Sequence, residues 1–446
     1  MIGNNLLKKT GFFILAILIA AGQSFFVWAK TKKSVAPENN SHWRYEERQA
    51  VIKVNCDDCL SEIAEKYDVY LSPLGGEGNE NFYLAKSLSR KSAKKLVKDL
   101  EKDGNIELVQ PNFKYKPLAR LARLDARLAG TWAKQARIAG DTYFSEEWWL
   151  FDVSSSPGGV SATSAWDLES KSQRDIAVAV IDSGANMKHK DLKKNLGKGS
   201  AKGKNFENPK RKPTDSDGHG SFLSGIIAAR SSNHRGVTGA SIDNNLKIMP
   251  LRFDFTTSQA IEALAHAKSK GVMVVNASWG SYGDEGLDLA LKDAISQYPG
   301  VFVTASGNNG VNHESGNSDE KMYPCNFELA NIVCVGASDQ NGNLADYSDY
   351  GATLVDIAAP GGTDDYPLIG LADSKSEYTE AEGSSLSTAF VSAEAGLLFS
   401  KYPNLSGAQV IEIITSSVDT NASFAGKVKS GGKVNFQKAL ENAAAY

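Results

Sequence analysis

The sequence predicts an α/β protein: a mostly parallel sheet with helices on both faces, preceded by a small α+β domain. Three observations lead there. The chain has 446 residues, 41% hydrophobic and 23% charged, which is an ordinary globular composition with room for two or three domains. From about residue 146, short apolar runs alternate with amphipathic helical segments, the pattern of strands buried on both faces. Before that point, residues 49–116 read as a separate, smaller mixture of strands and helices. Composition also excludes several classes. A net charge of −3 gives no global basic field to attract nucleic acid. Four cysteines are too few for a disulfide-built miniprotein. Only the first thirty residues are apolar enough for a bilayer, so a multi-span protein is excluded.

Taken in order, residues 1–29 read as a signal peptide. Lys8 and Lys9 precede the apolar run Gly11–Ala21, and Val27-Trp28-Ala29 sets small residues at the −3 and −1 positions of a cleavage site. An uncleaved anchor is the alternative, because 11–29 holds no charge. Either way the rest of the chain is exported, to the medium, periplasm or cell surface, where disulfides persist. With the signal cleaved, no membrane partner is expected. Residues 30–48 are a polar stretch. Within 49–116, Ala50–Val54, Asn81–Ala85 and Ile106–Gln110 read as strands, and Cys59–Tyr67 and Ser92–Glu101 as helices. Residues 117–145 carry Leu118, Leu121, Leu124 and Leu128 at three- to four-residue steps with Arg120, Arg123 and Arg127 between them. This is the pattern of a basic amphipathic helix, read as an interdomain linker, with a membrane-surface or partner helix as the alternative. Residues 30–145 carry +5 and 146–446 carry −10. The two parts are able to attract one another.

In residues 146–446, strands are expected at Ile176–Ile181, Leu246–Leu251, Val272–Val275, Val301–Thr304, Ile332–Val335 and Leu354–Ile357. Helices are expected at Ser221–Ala229, Ser258–Lys270, Leu287–Gln297, Ser387–Ser400 and Gln409–Ser416. In such folds functional groups gather beyond the carboxyl ends of strands. Ile181 is followed at once by Asp182-Ser183-Gly184, Val275 by Asn276-Ala277-Ser278-Trp279-Gly280, and Thr304 by Ala305-Ser306-Gly307-Asn308. A carboxylate behind six apolar residues is partly desolvated and needs a partner, although a capping Asp at a turn is the commoner fate of any Asp-x-Gly. His219 lies between Gly218 and Gly220 before a helix, as a base or as a loop histidine. Ser384, Ser385 and Ser387 lie near a helix N-terminus, where a serine either caps or attacks with helix-end N–H groups aimed at the developing oxyanion.

Four blocks resemble the subtilisin-like serine proteases. Val178-Ala-Val-Ile-Asp182-Ser-Gly-Ala, followed by His189-Lys-Asp191-Leu192, resembles their Asp segment. Asp217-Gly-His219-Gly-Ser-Phe-Leu-Ser-Gly225 resembles their His segment, and Ala305-Ser-Gly307-Asn308 the block with the oxyanion asparagine. Gly383-Ser-Ser385-Leu-Ser-Thr-Ala resembles their serine segment. The order Asp, His, Asn, Ser is the family's, at intervals of 37, 89 and 77 residues. The resemblance covers 146–446 and implies an exported endopeptidase that cuts proteins or peptides through an acyl-enzyme. In it Ser385 is the nucleophile, His219 the general base, Asp182 the orienting acid and Asn308 the oxyanion donor. Ser278-Trp279-Gly280 resembles the strand that pairs with extended substrate, and Trp279 either narrows the pocket or packs at the sheet edge. Residues 49–116, closing on Val109-Gln-Pro-Asn-Phe-Lys-Tyr115, resemble the family's propeptide inhibitor domain. This implies an intramolecular inhibitor, with processing in 117–145 and a mature start near Glu146.

No cofactor is required for this chemistry. The resemblance makes a structural calcium an option, with Asp191 and Asn233 as weak candidate ligands, although Arg230–Gly236 holds two Arg and no carboxylate. Cys325 and Cys334 are expected to pair, and Cys56-x-x-Cys59 reads as a structural disulfide or free thiols. Phe222, Ser387, Ala389 and Phe390 depart from the family's usual residues, which keeps a weak or inactive peptide-binding relative as the alternative. An esterase of the α/β-hydrolase type would show the order Ser, acid, His, and a nucleotide-binding protein would show G-x-x-x-x-G-K-[ST]. Neither is present.

Overall fold

The structure is a computed structural model and describes residues 44–56, 58–75, 81–123, 140–169, 174–283, 288–373 and 377–446. The expected signal peptide, most of the 30–48 stretch and residues 124–139 of the connector lie outside these. Among the described residues, no helix is long and apolar enough to cross a membrane.

The N-terminal domain runs β1 (Arg44–Val54), α1 (Leu60–Tyr67), β2 (Val69–Pro73), β3 (Phe82–Ser87), α2 (Ala93–Leu100) and β4 (Ile106–Lys114). Its strands form an antiparallel sheet in the order β2-β3-β1-β4. Ser92 caps α2 by accepting the Lys95 N–H. Leu96, Val97 and Leu100, at helical spacing, bury that helix on the sheet. Pro111 does not end β4 as the sequence suggests. The strand lies at the sheet edge, where a missing N–H is tolerated, and Pro111 pairs with Ala50 beside a register shift.

The connector then contributes β5 (Lys116–Pro117) and β6 (Arg120–Arg123). The helical reading of 117–145 is therefore corrected at its start. Leucine spacing favours a helix there, but two exposed strand edges of the next domain supply backbone partners, and residues 116–123 are extended.

The large domain contains α3 (Ala162–Ala165), β7 (Ile176–Asp182), β8 (Lys204–Asn205), α4 (His219–Ala228), β9 (Leu246–Arg252), α5 (Thr257–Ser269), β10 (Val274–Ala277), β11 (Trp279–Tyr282) and α6 (Leu289–Ser296). It continues with β12 (Val301–Ala305), β13 (Met322–Tyr323), β14 (Ile332–Ser338), β15 (Ile357–Pro360), β16 (Leu368–Leu371), β17 (Tyr378–Glu382), α7 (Ser384–Lys401), α8 (Gly407–Ser416), β18 (Asp419–Thr420), β19 (Gly432–Lys433) and α9 (Phe436–Asn442). The fold is α/β, and its nine-stranded sheet has the order β18-β19-β15-β14-β12-β10-β7-β9-β8. All pairs are parallel except β18 with β19. One hydrophobic cluster lies on each face, with α4, α7 and α8 on one side and α5 and α6 on the other. The α7 helix is buried from Ser384 to Ser400, and its Ser, Ala and Gly residues let it cross the domain interior. The strand expected at Leu354–Ile357 instead starts at Ile357. Leu354 lies in a turn closed by Val355 N–H to Gly351 and by Glu314, which accepts the Ala352 and Thr353 N–H groups.

Candidate active site

Strand ends and helix starts converge at the carboxyl edge of the sheet. Asp182 ends β7, Asn308 follows β12, His219 opens α4 and Ser385 is the second residue of α7. Each of these helices is entered through a left-handed glycine, Gly218 (φ 103°) and Gly383 (φ 137°), a conformation that a side chain would strain. The Asp182 carboxylate lies 2.8 Å from His219 Nδ1, and both side chains are buried. The same Asp182 oxygen accepts the Ser183 N–H and hydroxyl. Burial disfavours an imidazolium here, but the Asp182 carboxylate, with Asp217 and Asp215 behind it, prevails and raises the His219 pKa above its ordinary value. The partner at Nδ1 leaves Nε2 to exchange protons, and Nε2 is buried without a hydrogen bond.

Ser385 Oγ does not bond to that nitrogen. It donates to the Ser278 carbonyl at 3.0 Å and accepts the Leu118 N–H at 3.1 Å. Rotation about the Ser385 side chain is needed to turn the hydroxyl toward His219. Two other donors meet at a single acceptor. Asn308 Nδ2 and the Ser385 N–H lie 2.7 and 3.2 Å from the Leu118 carbonyl oxygen. A Cβ added to Gly383 would stand 2.7 Å from that oxygen and 3.0 Å from the Ala119 Cα, so only glycine leaves room for this backbone.

Asn308 is itself held from several sides. Its Oδ1 accepts the Ser384 N–H, and its own N–H donates to the Tyr282 hydroxyl. Tyr282 donates to the buried Asp349, which also accepts the Asn309 and Val311 N–H groups. Burial, with the Asp349 charge beside it, pushes the Tyr282 phenol far up and keeps it protonated. Sequence reading passes over Tyr282 and Asp349, and it offers Ser384 only as one of three serines near a helix start, not as a partner of this loop. No local motif marks them, because their partners are 26 to 77 residues away. Leu118 was read only as a position on a helical face.

Ser278, Trp279 and Gly280 line the cleft with backbone. The Ser278 carbonyl accepts the Leu118 N–H, and β11 pairs antiparallel with β5 through Trp279↔Pro117 and Gly280↔Lys116. Trp279 packs between the sheet edge and the 115–118 segment that lies in the cleft. Its ring is fully buried against Tyr115 and Phe253, and its indole N–H donates to the Ile181 carbonyl. Phe222, Ala389 and Phe390 are core residues behind the site. The Ser387 hydroxyl is buried without a partner.

Asp191 and Asn233 meet, with the Asn233 amide donating to the carboxylate, whose other oxygen accepts the Val237 N–H and the Tyr378 hydroxyl. The nearby Asp141 carboxylate accepts the Ser232, Asn233 and Arg235 N–H groups. Calcium needs six to eight oxygens. Here the loop presents N–H donors, and Asn233 Oδ1 alone is a buried acceptor without a donor. Among the described residues no three His, Cys, Asp or Glu side chains are grouped to hold a metal. Both cysteine pairs, Cys325–Cys334 and Cys56–Cys59, are disulfides.

A nucleophile candidate at a helix start, a carboxylate-bound imidazole and a pair of donors on one carbonyl define the class of serine hydrolases that work through an oxyanion hole. The chain belongs to the subtilase family of peptidases, whose family model matches residues 173–437, more than half its length. It is 29% identical to thermitase of Thermoactinomyces vulgaris over 307 residues, covering 68% of this chain and 98% of thermitase. It is also 29% identical to the cell wall-associated protease of Bacillus subtilis over 345 residues, covering 75% of this chain but only 34% of that protein. Among solved structures it resembles fervidolysin of Fervidobacterium pennivorans, described as a keratinolytic enzyme related to subtilisin. The TM-score is 0.70 at 20% identity, covering 92% of this chain and 62% of that one.

Proposed function

We propose that this chain is an exported serine endopeptidase made as a self-inhibited precursor, with residues 49–116 as inhibitor domain. The observation that carries this reading is the Leu118 carbonyl, held by Asn308 Nδ2 and the Ser385 N–H while the chain on either side is strand-paired to the cleft. A peptide bound by backbone pairing with its carbonyl in a two-donor pocket is a substrate-like complex. In turnover, Ser385 Oγ attacks a substrate carbonyl while His219 Nε2 takes its proton. Asp182 fixes the imidazole and stabilises the cation, and Asn308 and the Ser385 N–H hold the oxyanion. His219 then protonates the leaving amine, and water hydrolyses the acyl-enzyme. The inhibitor domain docks through Gln110 and Asn112, which accept the Ala290 and Ser258 N–H groups near the starts of α6 and α5. It also docks through Tyr115, which donates to Asp288. The test compares wild type with Ser385→Ala for casein hydrolysis and fluorophosphonate labelling. Loss of both in the variant is expected, and equal activity in the two proteins would refute the assignment.

A further inference from the structure

The cleft is occupied on both sides of one peptide bond. On the upstream side, β5 pairs with β11, the Tyr115 N–H donates to the Phe255 carbonyl and the Leu118 N–H to the Ser278 carbonyl. The Leu118 carbonyl is the group between the two oxyanion donors. On the downstream side, β6 pairs antiparallel with β17, with Arg120 in register with Glu382 and Ala122 with Glu380. Leu121 reaches the His segment, since a Cβ on Gly218 would lie 3.3 Å from Leu121 Cδ1. A cavity of about 610 Å³ lies against Leu118, walled by Gly280, Tyr282, Asn309 and Met322, and Leu118 packs on the apolar cluster containing Met322.

We propose, on the reading of this site as a serine endopeptidase, that Leu118–Ala119 is the first bond the enzyme cuts in its own chain and that the same contacts set its choice of substrate. Leucine or a similar apolar residue precedes the cut bond, and a basic residue stands second after it, added as a strand to β17. Three features place this bond rather than another. Among the described residues its carbonyl alone accepts both oxyanion donors, the missing side chain of Gly383 leaves room for the Leu118 oxygen and the Ala119 Cα, and strand pairing fixes the register upstream and downstream at once. The step balances with water as the only co-reactant. Ser385 Oγ bonds to the Leu118 carbonyl carbon as its proton passes to His219 Nε2. The Leu118–Ala119 C–N bond breaks with that proton going to the Ala119 nitrogen, and water then releases a Leu118 carboxylate. Downstream selectivity follows from register, because directly opposed residues of an antiparallel pair share one face and opposite charges there attract. Glu382 is the register partner of Arg120, and Glu380 lies two residues away on the same face of β17.

The full chain, followed by intact mass and N-terminal sequencing from the moment of refolding, should yield Ala119 as its first new N-terminus. Leu118→Asp should slow that cut by more than about tenfold. Matured wild-type enzyme, which avoids any folding defect of that variant, should cut a peptide spanning residues 114–124 between Leu and Ala. Changing its second downstream residue from Arg to Glu should lower kcat/KM by about 2- to 30-fold, the range of a cross-strand charge pair reversed in sign. Glu382→Lys should invert that preference. Casein hydrolysis and fluorophosphonate labelling separate the failures. If both are present while the first cut maps elsewhere, or the Arg and Glu peptides are cut equally, the proposal is overturned and the endopeptidase reading stands. If both are absent, the endopeptidase reading falls and takes the proposal with it.

Discussion

Replacing Tyr115 by Phe should partly unlatch the N-terminal domain, the proposed inhibitor, from the large domain. The Tyr115 hydroxyl donates to Asp288, a fully buried carboxylate that also accepts from Gln110 Nε2, the Thr257 hydroxyl and the Leu291 N–H. Two of these four donors come from residues 49–116 and two from the large domain. Phenylalanine keeps the ring that packs on Trp279 at a centroid distance of 4.8 Å, so apolar burial hardly changes and the loss is confined to one hydrogen bond. A bond to a charged acceptor contributes about 1.5–3 kcal/mol, and the carboxylate left one donor short stays buried only in the docked state. The opening equilibrium should therefore shift by about 10- to 150-fold. Fluorophosphonate labelling of the uncut chain reads that equilibrium, because Ser385 is reached only when Leu118 leaves the cleft. The initial labelling rate of Tyr115→Phe should rise by the same factor over wild type, with intact mass showing that neither chain has been cut. A rate within about twofold of wild type, below the smallest shift expected, would show that docking does not rest on Asp288 and would refute the reasoning.

Three further outcomes are expected. Asn308→Ala should lower kcat by ~10²–10³ with little change in KM, as for loss of one oxyanion donor, measured on a chromogenic peptide. The kcat/KM of the released enzyme should rise with pH along a limb above the ordinary histidine value of ~6.5, because His219 is a base only when neutral and the Asp182 carboxylate raises its pKa. Asp182→Asn should move what remains of that limb to lower pH, since only the charges of Asp217 and Asp215 are then left to oppose burial. Replacing Cys325 and Cys334 together by alanine, which opens a bridge with a sequence separation of nine residues, should cost about 2–3 kcal/mol in urea unfolding.

What could be read from residues alone was local chemistry at strand ends. An apolar run followed by Asp182, or by the Gly-Asn of 307–308, places a polar group beyond the edge of a buried parallel sheet, and the structure gathers these groups there. Three kinds of information stayed hidden. Periodicity at 118–123 pointed to a helix, because leucine spacing takes no account of the unpaired edges of β11 and β17 far along the chain. Asp349 holds the Asn308 loop through Asn309 and Val311 some forty residues away, and no spacing rule connects them. The side chain of Trp279 was undecided between cleft and core. Its indole N–H meets the Ile181 carbonyl 98 residues away, its ring packs on Tyr115 of the segment in the cleft, and no local pattern gives either contact.

On the proposed reading the same cleft holds its own chain without consuming it at once, and the geometry at Ser385 is consistent with both. Donors that grip the Leu118 carbonyl in the uncut chain stabilise the ground state as well as the oxyanion, and binding that is equal in the two states does not accelerate the chemistry. The Ser385 hydroxyl meanwhile is bonded to the Ser278 carbonyl and the Leu118 N–H, away from His219 Nε2. Attack requires those two bonds to break before the proton has an acceptor. Breaking two neutral hydrogen bonds at about 0.5–1.5 kcal/mol each adds a barrier of about one to two powers of ten in rate, enough to delay a cut but not to prevent it. A substrate whose backbone N–H sits slightly farther from Ser385 Oγ would meet only the Ser278 bond. Inhibitor and substrate can thus share every pairing contact in the cleft and differ in rate through one hydrogen bond to the nucleophile.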